Sequence, residues 1–199
     1  MRDLSLEKLK QVIEEEARST VILPFDYEYP INKVVELVPV AIEAVRKHHQ
    51  DYDIAIGAYI DVVIVHPIKA SKLAKTQLTL HRNIHNVSFY VRDATGIWVS
   101  VHSHPWALRL LKEAGIVTAT VAFEMETKDS WGGYGHECGG SHYVFRILKN
   151  GAVVAEGQAS YNACIPGHEG ANYAYTEVRL AGSEPVLVSA IDGVILLQP

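Results

Sequence analysis

The stretch NVSFYVRDATGIWVSVHSH, Asn86 to His104, sets out a β-hairpin at residue-level register. If Ala94-Thr95-Gly96 is a three-residue loop with Gly96 in the left-handed conformation, Asp93 pairs with Ile97, Arg92 with Trp98, Tyr90 with Ser100 and Ser88 with His102. Val87, Phe89, Val91, Val99 and Val101 then share one face, and Asn86, Ser88, Tyr90, Arg92, Trp98, Ser100, His102 and His104 the other. A four-residue loop would mix the two sets, and a half-buried strand gains only when its apolar residues lie on one side. Just downstream, Pro105 opens a short helix running to Ala114 that Gly115 closes, with His104 as its N-cap. His102 and His104 are thus expected where a strand ends and a helix begins. Exposed N–H donors there favour an anion or a developing oxyanion and keep a neighbouring imidazole neutral. Neutral histidine is the form that acts as base or metal ligand.

Upstream, Ser5 caps a helix whose apolar positions Leu6, Leu9, Ile13 and Ala17 recur at helical spacing. An extended, proline-bounded segment from Thr20 to Pro30 leads to a second helical pattern, Val34, Val38, Ile42 and Val45, ending at His49. Pro39 lies inside that pattern, so the helix kinks there or begins there. From Ile54 the period changes to two, with strands expected at 54–65, 74–81, 86–92, 97–103, 117–127, 142–149, 152–160, 172–180 and 186–197. Asn150-Gly151 supplies the two positive φ angles of a tight hairpin turn. Trp131 to Ser141, rich in glycine, is expected to be a loop long enough to serve as a lid. The class is α+β: a mostly antiparallel β-sheet wrapped around or packed on N-terminal helices. No proline- or glycine-rich linker divides residues 1–199, so a single domain is expected, with two pseudo-similar β lobes over 20–104 and 105–199.

With 48% hydrophobic and 21% charged residues, 199 residues can bury a continuous core. A net charge of −5 excludes a chain that grips nucleic acid through its overall charge, and the lysines of 69–75 carry no interleaved aromatics. The N-terminus shows no apolar leader, and the longest apolar run, 186–197, falls short of the roughly 20 residues that cross a bilayer. Two cysteines, Cys138 and Cys164, could form one bridge but do not make a disulfide framework, so the simpler expectation is a cytoplasmic protein with reduced thiols. An exposed sheet edge or the apolar C-terminal strand would suit a homo-oligomer.

The order of extended segment, helix and strands from Thr20 to His104 resembles the hot-dog superfamily of acyl-thioester hydrolases and dehydratases. The segments AYIDVVIVHPI, from Ala58, and TLHRNIHNVSFYVRDATGIWVSVHS, from Thr79, carry that likeness. YVFRILKNGAVVAEGQAS, from Tyr143, repeats the cadence. The resemblance implies an acyl chain on coenzyme A or a carrier protein, helix N–H groups on the thioester oxygen, and a carboxylate or histidine moving the proton. Glu43 and Glu36 are the carboxylate candidates. The expected function is therefore a small-molecule enzyme with His102 or His104 as general acid or base, Tyr90, Arg92, Ser100 and Trp106 around the substrate, and no cofactor. Arg92 would clamp a carboxylate or phosphate.

A second reading uses the ten histidines. His102 and His104 would hold a divalent metal with a third ligand from His85, His136, His142 or Glu137, giving a hydrolase or lyase. His102-Ser103-His104-Pro105 resembles the His-x-His-Pro segment of JAMM metalloproteases over those four residues, without the Ser-x-x-Asp that follows there. A third reading is a non-catalytic ligand-binding or assembly protein.

Overall fold

The computed structural model describes residues 6–27, 29–71, 77–80, 86–133, 135–182, 186–191 and 193–199. The chain is α+β with mostly antiparallel sheet, and it divides into two compact units. The first comprises residues 1–71 and 90–122, the second 72–89 and 123–199.

In the first unit, α1 (Leu6–Glu16) buries Leu9 and Ile13, and Ala17 just beyond its end. α2 (Ile31–His48) buries Val34, Val38, Ala41, Ile42 and Val45 along one side, the stripe that the helical spacing anticipates. Pro39 neither starts nor ends α2 but lies inside it, at an exposed position. α2 packs on α1 and on β1 (Val21–Pro24), β2 (Asp53–Ala58) and β3 (Val62–Ile68). The expected 54–65 strand is thus two strands, turned at 59–61, and the extended segment after α1 contains β1. Strand order in this unit is β1-β3-β2-β6-β5, with β6 (Trp98–Ser100) and β5 (Ser88–Arg92) forming the hairpin. Over its pairs the β5–β6 register is the expected one: Tyr90 faces Ser100, Arg92 faces Trp98, and Asp93 N–H donates to Ile97 O at 2.8 Å; the expected Ser88–His102 pair is not formed, because β6 ends at Ser100. Gly96 has φ 88°. One pairing, β2 with β6, is parallel. α3 (Pro105–Glu113) follows with His104 as N-cap and Gly115, φ 72°, beyond its end.

Asp93 fixes the hairpin loop to the segment after α3. It is 3% exposed, and its carboxylate accepts from Thr95 N–H and Oγ1, from Thr118 N–H and Oγ1, and from Ala119 N–H at 2.7 Å. Burial alone would raise its pKa, but these hydrogen bonds outweigh it and hold the carboxyl at about 2.

The second unit contains a five-stranded antiparallel sheet ordered β4 (Gln77–Leu80), β10 (Tyr173–Leu180), β9 (Ala152–Cys164), β8 (Cys138–Lys149), β7 (Val121–Trp131). Asn150 and Gly151 turn β8 into β9 with φ 51° and 81°, as expected. Phe89, Phe123 and Phe145 form an aromatic cluster with centroids 5.3–5.7 Å apart. The expected 186–197 strand is a hairpin, β11 (Val186–Ile191) and β12 (Val194–Gln198). Much of the expected lid is strand: Trp131 belongs to β7, and Cys138, Gly139, Gly140 and Ser141 belong to β8. A Cβ at Gly140 would stand 2.6 Å from the Trp131 indole and would collide with the Tyr161 carbonyl, so glycine serves close strand packing there. Cys138 and Cys164 are not separate thiols: they face each other across β8 and β9 and form a disulfide, Cα to Cα 4.0 Å. Among the described residues no helix is long and apolar enough to cross a membrane.

Candidate active site

The sheet of the first unit has one apolar face and one polar face. Ile54, Ile56, Val63, Val65, Val91 and Val99 form the first and are fully buried. On the second, Ala55 pairs with both His66 and Trp98, and Tyr90 pairs with Ser100. This face is not simply wet: Trp98 is 1% exposed, Ser100 2% and Tyr90 8%. Small residues make room for it. Ala55 has no accessible surface, and a Cβ at Gly57 would lie 2.6 Å from the Tyr59 ring.

His66 is the centre of this face. Its Nδ1 lies 3.1 Å from the Pro67 carbonyl, which can only accept, so Nδ1 carries the proton. Nε2 is then the lone-pair nitrogen, and the Tyr90 hydroxyl donates to it at 3.1 Å, with the rings edge to face. Burial lowers the His66 pKa from 6.5, more than the Pro67 carbonyl raises it. Burial, and then the neighbouring Tyr59, push the Tyr90 phenol up to about 12. The pair is therefore neutral imidazole beside neutral phenol at physiological pH, an acceptor and a donor in contact. Beside it, Tyr59 and Ser100 hydroxyls lie 3.4 Å apart.

Arg92 does not extend towards open space. Its guanidinium donates to Asp53 at 2.8 Å and lies over the Trp98 ring at 5.0 Å, while Trp98 Nε1 donates to the same carboxylate oxygen at 3.0 Å. With one carboxylate oxygen accepting from both the guanidinium and the indole, Arg92 is held against the Trp98 ring.

The two histidines of the sequence reading lie beside this face rather than in it. β6 ends at Ser100, so His102 sits in a turn closed by Ser103 N–H to Ser100 O, and its side chain is exposed. His104 caps α3: its Nδ1 accepts from Trp106 N–H at 3.3 Å. Trp106 is 42% exposed and meets Phe25 edge-on at 6.4 Å. Glu36 and Glu43 lie on the exposed side of α2, where Glu43 pairs with Arg46 at 2.7 Å. His85 lies outside the described residues. His136, His142 and Glu137 belong to the second unit. There His142 Nε2 lies 3.2 Å from Gln158 and Glu137 pairs with His168 at 3.2 Å. No group of three metal-ligating side chains occurs among the described residues.

Sequence reasoning placed Tyr90, Arg92 and Ser100 on this face and missed His66, Tyr59 and Asp53. The signal was in β2, where Asp53, Ala55 and Gly57 alternate with Ile54, Ile56 and Ala58. Two very small residues in a polar row mark a floor over which larger side chains lie. The second unit carries its own concavity, about 660 Å³, between Glu124, Arg146, Glu156, Gln158, Glu177 and Arg179. Its two arginines are paired with Glu124 at 2.7 Å and Glu177 at 3.0 Å. No protein-family model matches the chain, and no curated protein or solved structure matches it either.

Proposed function

We propose that the protein is a small-molecule enzyme of the acyl-thioester hydrolase or dehydratase type, with His66 as general base and Tyr90 as hydrogen-bond donor to the substrate. The contact of Tyr90 Oη with His66 Nε2, 3.1 Å on a half-buried polar face, carries the reading. A substrate carbonyl takes over the Tyr90 hydrogen bond, which leaves Nε2 free to accept a proton from water or from the carbon next to that carbonyl. Tyr90, with its pKa near 12, stays protonated and stabilises the developing oxyanion. Tyr59 and Ser100 line the same face. The hot-dog wrap belongs to this proposal: α2 lying against β1, β2 and β3 supports it, and the parallel β2–β6 pairing is where this chain departs from an all-antiparallel sheet.

The test is turnover of a panel of acyl and 3-hydroxyacyl coenzyme A thioesters by wild type, His66→Gln and Tyr90→Phe. Loss of the general base is expected to lower kcat by roughly 10²- to 10⁴-fold. kcat/KM is expected to rise with pH through a midpoint below 6.5, because His66 must be neutral and burial already favours that form. No turnover of any thioester would remove the substrate class. Turnover unchanged in both variants would remove the assignment of the residues.

A further inference from the structure

β7 is the outermost strand of its sheet, and all eight of its residues from 124 to 131 are exposed. At 11 residues it is long for an edge strand, and VAFEMETKDSW contains neither proline nor glycine to blunt it. What it carries instead is a short charge pattern. Glu126 and Lys128, two residues apart and so on one side of the strand, form an ion pair at 2.8 Å.

That pattern is its own complement. When a second β7 runs antiparallel with Thr127 on the two-fold axis, Glu126 faces Lys128 of the other copy and Lys128 faces its Glu126, so four charges alternate in sign. The same register sets Glu124 against Ser130 and Met125 against Asp129, with no like charges opposed. Neighbouring registers fail: an axis at Glu126 or at Lys128 sets that residue against itself, and an axis at Met125 sets Glu124 against Glu126. An axis on either side of Thr127 sets a glutamate against Asp129. Opposite charges directly across a strand pair stabilise it and like charges destabilise it, and isologous contacts of this kind close after two copies.

We propose that two copies of this chain associate edge to edge through β7, antiparallel with Thr127 on the axis, joining two five-stranded sheets into one. The test is sedimentation velocity on the full chain at micromolar concentration, with circular dichroism to establish that each variant is folded. Wild type is expected to sediment as a dimer. Glu126→Lys sets lysine against lysine and Lys128→Glu sets glutamate against glutamate, so each variant alone is expected to dissociate at least about tenfold more readily. Mixed together, the two variants regain opposite charges at both positions and are expected to form a heterodimer. A monomeric wild type, or a dimer indifferent to both substitutions, overturns the proposal, as does a mixture that stays monomeric.

Discussion

Asp93 shows how much one carboxylate can organise. Its folded pKa of about 2 lies below the ordinary 3.8, so its ionised form is favoured by folding. The stabilisation, about 2 kcal/mol, is complete above the ordinary value and is lost as pH falls through 2. Asp93→Asn is expected to cost about 2 to 3 kcal/mol at neutral pH and to flatten the acid limb of a stability curve, read by urea titrations from pH 7 down to about 2. Only half of this was legible in the sequence. The turn around Gly96 announces itself locally, whereas the partners Thr118 and Ala119 lie beyond α3 and no pattern links them to Asp93. His66 was hidden for the same reason. Its partner Tyr90 sits three strands away in the sheet order, with β2 and β6 between, and strand order is a property of the whole sheet.

At the scale of elements, amphipathic spacing found α1 and α2, and the Pro-first, Gly-last signature found α3. The errors share one cause: continuous apolar runs conceal short turns. Ile54 to Val65 and Val186 to Leu197 each read as one strand because few strong turn formers break the apolar run: Asp61 sits in the first and Gly193 in the second. Pro39 is the inverse case, a strong breaker overruled by position. α2 is held by the buried stripe from Ile31 to Val45, and the Pro39 ring itself lies on its exposed side. Pro39→Ala should restore that hydrogen bond and relieve the ring contact with the preceding turn. Stability is expected to rise by about 1 to 3 kcal/mol, seen as a higher urea midpoint with unchanged slope.

For the molecule as a whole, the disulfide and the division into units matter most. Cys138–Cys164 encloses a separation of 26 residues at the far end of the β8–β9 pair, and beside it Asn162 joins Trp131 and Ala171 O by hydrogen bonds. Replacing both cysteines by serine is expected to destabilise the second unit by about 3 kcal/mol. Hydrogen exchange should report the loss in β8 and β9 and leave α2, β2 and β3 as protected as before. The chain passes between the units at 71/72, 89/90 and 122/123. That interleaving has a consequence for synthesis. β4 pairs with β10, which leaves the ribosome roughly a hundred residues later, on the order of 5 to 20 s at the usual pace of translation. Through that interval Leu78 and Leu80 wait without the strand they pair with in the folded chain.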